Sequence, residues 1–204
     1  MSRPATLLFA HGGGFCKETW EPIIRRLRDS SLLQSASTRF VSFDFKYHGS
    51  NRDESVAPQI DLENPRGPRV HHPANDLTAW TSAEVLHQAR ALKNDSVDTP
   101  LIGIAHSMGG VCYVEHGDVV TNFLVSVTLQ RESSWPSRAA AETHFRNFKN
   151  FAAWDRESLD AYMKGGLVGD EATEKTVLAC SPGIEASLYC HEWLCLTDQQ
   201  LEQP

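Results

Sequence analysis

Short apolar runs alternate with longer amphipathic stretches through the first two thirds of the chain. Residues 5 to 10, ATLLFA, are closed by HGGGF, which reads as a buried strand stopping at a glycine turn. TWEPIIRRLRD follows, with Trp20, Ile23, Ile24 and Leu27 at helical spacing, Thr19 as N-cap and Pro22 in the tolerant first turn. RFVSFDF, residues 39 to 45, is rich in β-branched and aromatic side chains and predicts a second strand. Residues 46 to 75 carry Pro, Gly, Asn and Asp without periodicity, a loop long enough to suggest function. A helix is predicted from Asn75 to Lys93, capped by Asn75 or Asp76, with Ala79, Ala83 and Leu86 on one face. PLIGIA (100 to 105) gives a third strand, a helix runs from the serine after it to Gly117, and FLVSVTL (123 to 129) gives a fourth strand. Strands alternating with helices imply an α/β fold with a mostly parallel sheet and right-handed crossovers.

After Trp135 the pattern becomes helical and aromatic, with Asp155 as a cap, Leu159, Tyr162 and Met163 on one face, and Gly165 and Gly166 as the stop. No further strand is predicted before Pro204. The division expected is a core over residues 1–134 and a helical, cap-like segment with the tail over 135–204. A chain of 204 residues, 41% hydrophobic, can bury one sizeable core.

Charge and cysteine usage narrow the partners. A net charge of -7 without a basic stripe argues against nucleic acid. No apolar run approaches the roughly 18 to 20 residues of a membrane span. Cys16, Cys112, Cys180, Cys190 and Cys195 are odd in number with no zinc-like spacing, and nothing at the N-terminus resembles a signal peptide, so a reducing, cytoplasmic-type compartment is expected. His71 and His72 lack metal-ligand spacing, and neither GxGxxG nor a Walker lysine is present, so no cofactor is expected. Oligomeric state is not legible.

The chemistry lies at the end of the third strand. In Ala105-His106-Ser107-Met108-Gly109, a serine on a sharp strand-to-helix turn needs small residues two before and two after it, and has them. The following helix would aim its N–H groups at charge developing on a bound carbonyl. A serine that merely caps a helix is the plainer reading. HGGGF supplies a second donor in the right place, because glycines let a backbone N–H approach a substrate closely. The N–H groups of Met108 and Gly13 are the expected oxyanion donors, with Gly14 or Phe15 as alternatives to Gly13. His11 is expected to brace this loop, and His106 to point away from the serine.

LLFAHGGGF, VSFDFKYHGSNRD and GIAHSMGGV together resemble the α/β-hydrolase superfamily. The resemblance covers about residues 5 to 130 and implies an α/β-hydrolase fold with helices on both faces of the sheet and a helical cap. It implies Ser107 as nucleophile, then an acid, then a histidine in chain order, and a hydrophobic acyl ester or thioester as the small-molecule substrate. FDFKYHGSNRDES and RNFKNFAAWDRESLDAY are similar more narrowly to fungal hydrolases of the peroxisomal lipase type, including those of host-selective toxin biosynthesis. That similarity implies a peroxisomal setting, although the C-terminal Glu-Gln-Pro is not the import tripeptide Ser-Lys-Leu. The strands expected to carry the acid and histidine are not recognisable, as if the chain were C-terminally shortened. Glu132 is the candidate acid and His144 and His191 the candidate bases, each with a surface or packing role as its alternative. QLEQP at the end of the chain resembles the residues that follow the catalytic histidine of many relatives, and Thr197 lies where that histidine would be. Phe145, Phe148, Phe151, Trp154 and Tyr162 either line an acyl pocket or pack the cap. A protein that keeps the elbow but has lost its base, or an acyltransferase using the same serine, fits the same residues.

Overall fold

The computed structural model describes residues 4–34, 37–95, 99–110 and 118–191. Strand β1 (Thr6–Ala10) is buried along its whole length and leads through a 3-10 turn (Lys17–Trp20) into α1 (Glu21–Arg28). After the short α2 (Ser31–Gln34) comes β2 (Arg39–Phe43). The loop beyond it folds into a small hairpin, β3 (Gln59–Asp61) with β4 (Arg69–His71), before α3 (Leu77–Asp95) and β5 (Leu101–Ala105). A 3-10 turn (Ser107–Gly110) follows β5, and α4 (Asp118–Leu129) resumes the described chain. The last part holds β6 (Ser134–Trp135), α5 (Arg138–Asn147), α6 (Arg156–Gly166), β7 (Leu167–Asp170), β8 (Lys175–Leu178) and α7 (Pro182–Leu188).

β1 is the middle of a three-stranded parallel sheet, with β2 on one side and β5 on the other. Strand alternation divides its side chains: Leu7 and Phe9 pack with Ile24, Trp20 and Leu27 of the α1 side, whereas Leu8 and Ala10 join Phe43, Phe45 and, from α3, Trp80, Val85 and Leu92. Helices therefore cover both faces, as expected. Fully burying Phe9 contributes about 1.5–3 kcal/mol. The register sets Ala10 level with both Phe43 and Ala105, so the segments that follow all three strands leave the sheet at one edge. That shared edge brings together the two glycine-containing turns.

Several local expectations change. Residues 123–129 are not a strand but the second half of α4, whose buried positions Thr121, Val125 and Thr128 follow helical spacing. Val125 packs with Val70 of β4 and Ala186 of α7, and a short apolar run carries no periodicity of its own to choose between the two structures. Strands also appear where none is predicted: β8 pairs antiparallel with both β6 and β7, so the cap-like segment contains a small sheet. On α3, Ala79, Ala83 and Leu86 face solvent, and the helix docks instead through Leu77, Trp80, Thr81, Val85 and Leu92. The N-cap of α1 is Trp20 rather than Thr19, because the 3-10 turn occupies that position. Asp155 does cap α6, accepting the Ser158 N–H at 3.1 Å, and Leu159, Tyr162 and Met163 are buried together. The helix expected to reach Gly117 and the tail containing Thr197 extend outside the described residues.

Candidate active site

Past Ala105 the chain reverses, and the His106 N–H donates back to the Ala10 carbonyl at 3.1 Å. Ser107 takes a φ of 50°, the left-handed region, where a non-glycine residue costs about 1–2 kcal/mol. This sharp turn leaves Ser107 exposed and buries Met108. Gly109 allows the turn to seat on β1, since a Cβ there would lie 2.7 Å from the carbonyl oxygens of both Ala10 and His11. The spacing argument thus holds strictly on the Gly109 side. Ala105 is exposed, so its small size meets no such constraint among the described residues.

The glycine loop is braced from beneath by two buried histidines. His11 Nδ1 bonds the Gly12 carbonyl at 2.8 Å and its Nε2 meets the Phe45 N–H at 3.1 Å. A carbonyl only accepts and an amide only donates, so the ring is neutral with its proton on Nδ1. Burial, followed by the neighbouring His48, pulls its pKa down to about 3. His48 repeats the arrangement: Nδ1 donates to the Lys46 carbonyl at 2.8 Å, Nε2 accepts the Gly14 N–H at 3.0 Å, and burial lowers its pKa.

Asp44 secures the base of this assembly. Its carboxylate accepts from the Lys17 N–H (2.7 Å) and ammonium (2.6 Å) and from the Ser50 N–H (2.9 Å) and hydroxyl (2.7 Å). Burial pushes its pKa up, but the Lys17 and Ser50 donors outweigh burial and hold it below the usual carboxylate range. Sequence reasoning missed Asp44 and His48 as supports. The available signal was a charged residue at the end of a buried strand, followed closely by His-Gly-Ser.

The expected donors lie close together. A Cβ on Gly13 would be 3.8 Å from Met108 Sδ and 3.1 Å from Leu188 Cδ1, which places the loop beside the residue after the serine. The Gly14 N–H is taken by His48, and the Phe15 N–H by the Gly12 carbonyl at 3.2 Å. The His106 ring is exposed and lies over Gly12, 5.7 Å from the Phe15 ring, so it faces the loop. Phe15 also meets Trp154 at 5.6 Å and Tyr162 at 5.9 Å, joining the loop to the aromatic cap cluster.

The remaining candidates have partners of their own. His144 Nδ1 is 3.2 Å from the Glu132 carboxylate, with its ring against Trp135 and Phe148. His191 spends both nitrogens at the start of α3, Nδ1 on the Asn75 carbonyl (2.5 Å) and Nε2 on the Thr78 hydroxyl (3.0 Å). Among the described residues, no side chain hydrogen-bonds the Ser107 hydroxyl, and no cluster of three His, Cys, Asp or Glu side chains could hold a metal ion. Among the same residues no helix is long and apolar enough to cross a membrane.

A parallel sheet whose strands release a glycine loop and a strained serine turn at one edge defines a protein class. The chain belongs to the alpha/beta hydrolase family, whose model matches residues 7–199. Among solved structures it is similar to the peroxisomal alpha-beta-hydrolase Lpx1 from Saccharomyces cerevisiae, at 15% identity and a TM-score of 0.64, covering 92% of this chain and 55% of that one. It is also similar to E-2-(acetamidomethylene)succinate hydrolase, at 13% identity and a TM-score of 0.60, covering 93% of this chain and 65% of that one. The chain therefore spans little more than half the length of Lpx1, and at these identities the likeness shows the fold. No curated protein matches the sequence significantly.

Proposed function

We propose that the chain is a serine hydrolase of the esterase, lipase or thioesterase type, with a hydrophobic acyl ester or thioester as substrate. The observation that carries this reading is the strained turn at Ser107, seated on β1 through Gly109 and beside Gly13. In the reaction, Ser107 Oγ attacks the acyl carbonyl and the N–H groups of Met108 and Gly13 hold the oxyanion. Engagement of the Gly14 and Phe15 N–H groups supports the choice of Gly13. For the base we favour His144 over His191. Ser107, Glu132 and His144 follow the serine, acid, histidine order, and Glu132 orients the His144 ring, whereas His191 has both nitrogens engaged. Phe15 and Trp154, half-buried over the core residue Tyr162, offer an apolar surface for the acyl chain.

The biological setting proposed is fungal secondary metabolism, specifically host-selective toxin biosynthesis, in the peroxisome. It rests on the resemblance of residues 43–55 and 146–162 and on the fold shared with peroxisomal Lpx1. The division into a core over 1–134 and a cap-like segment over 135–204 belongs to the same proposal. A fluorophosphonate probe tests the chemistry: it should label the wild-type chain at Ser107 and leave Ser107→Ala unlabelled. Absence of label on the wild type, beside a labelled control hydrolase, would refute it. That outcome would favour a non-catalytic binding protein, the reading supported by the absence of a hydrogen bond to Ser107 among the described residues.

A further inference from the structure

We infer that α7 is the element that positions the oxyanion loop, acting through Glu185 and Leu188. The inference rests on the reading of residues 12–15 as that loop. Ser181 caps the helix, accepting the Ile184 N–H, and Gly183 through Leu188 are all buried. Residues three apart on a helix share a face, and here both side chains on that face meet the loop. Leu188 lies against Gly13 and the Glu185 carboxylate against Gly14, where a Cβ would come within 2.5 Å of Oε2. Gly14 has a φ of 72°, so a side chain there is excluded by conformation as well as by space.

The carboxylate is itself held at several points. Arg131, just past the end of α4, binds it through both terminal nitrogens, at 3.2 Å to Oε1 and 2.5 Å to Oε2, and the Tyr189 hydroxyl donates to Oε1 at 3.4 Å. A bidentate guanidinium fixes the plane of a carboxylate as well as its position. Gly14 is thereby held by two groups, its N–H by His48 and its α-carbon by Glu185. Glu185 and Leu188 are positioning residues: neither adjoins the serine in the chain, yet both bear on the residues that set where the Gly13 N–H points. The alignment of the oxyanion site then depends on a helix from the last part of the described chain, on which α4 also converges.

Amide hydrogen exchange on the full chain tests this without requiring activity. In Glu185→Gln, exchange at Gly14 and Phe15, the hydrogen-bonded amides of the loop, is expected to rise about tenfold or more while α5 and α6 stay within about twofold of wild type. Leu188→Ala should act in the same direction. Exchange at Gly14 and Phe15 within about twofold of wild type, or an equal rise in α5 and α6, would overturn the inference. If Glu185→Gln does not fold, Arg131→Lys keeps the charge, loses the fork and is read by the same criteria. Where the wild type turns over a p-nitrophenyl ester, Glu185→Gln should lower kcat about tenfold with KM within about twofold. A wild type that takes no fluorophosphonate label would remove the hydrolase reading and leave the exchange measurement to decide the positioning role.

Discussion

Between the ends of β1 and β2, His11, Asp44 and His48 are buried, and their polar side-chain atoms are matched to named donors and acceptors. One strand away, β5 is the edge of the described sheet, Ile102 is 49% exposed, and on α4 Val119 and Phe123 are 83% and 63% exposed. The same end of the sheet therefore joins a buried polar scaffold to an open apolar margin. The contrast teaches that the glycine loop is fixed by several buried hydrogen bonds. Among the described residues, the Ser107 turn is held by backbone hydrogen bonds from His106 and Gly109, the close seat of Gly109 on β1 and the burial of Met108, with no side-chain bond to its hydroxyl.

Removing Asp44 should show the strongest dependence. Asp44→Ala leaves Lys17 and the Ser50 N–H without their buried partner and should destabilise by about 3–5 kcal/mol in urea unfolding. On the other side, Gly109→Ala forces a methyl group onto two carbonyl oxygens and should cost about 2–3 kcal/mol, with loss of fluorophosphonate labelling.

Acid should loosen the scaffold before the margin. His11 binds a proton only near pH 3 when folded but near pH 6.5 when unfolded, so the unfolded state holds more protons between these values. Stability from this group is fully present above pH 6.5 and is lost as pH falls toward 3, at no more than about 1.4 kcal/mol per pH unit. The lowered pKa of His48 acts in the same direction, and that of Asp44 extends the loss below the ordinary carboxylate range. Unfolding midpoints at pH 7, 6 and 5 should decline together, and a flat profile would show that His11 is not held neutral.

Smaller effects sharpen the other half of the comparison. Ser107→Gly relieves the left-handed strain, partly offset by the entropy glycine brings to the unfolded chain, and should raise stability by about 1 kcal/mol while abolishing labelling. A decrease in its melting temperature would show that side-chain contacts, rather than backbone strain, govern the turn. Glu132→Gln removes the exposed carboxylate beside His144 Nδ1 and should change stability by no more than about 0.5 kcal/mol. Any effect on labelling rate beyond that would speak for the proposed role of His144.

Much of this organisation was legible in the sequence wherever the deciding interactions are local. The Asp155 cap, Pro22 in the first turn of α1 and the strand ends at Ala10 and Ala105 follow from near neighbours in the chain. The bracing of the glycine loop by His11 was readable from its position, whereas His48 and Glu185 reach Gly14 across 34 and 171 positions of sequence. No pattern within either segment announces such a contact.

By itself, the sequence determined the α/β class, the strands read at 5–10, 39–45 and 100–105 and observed at 6–10, 39–43 and 101–105, and the small-residue frame around Ser107, because side-chain period and turn sterics act over a few residues. Tertiary structure decided the rest. The apolar run 123–129 is helical because β4 and α7 give it a helical groove to bury in, and α3 turns Ala79, Ala83 and Leu86 outward because Trp80 and Val85 fit the sheet. β7 and β8 exist because they pair with each other, β8 also pairing with β6. Burial and strand pairing are properties of two surfaces meeting, and either surface alone leaves the outcome open.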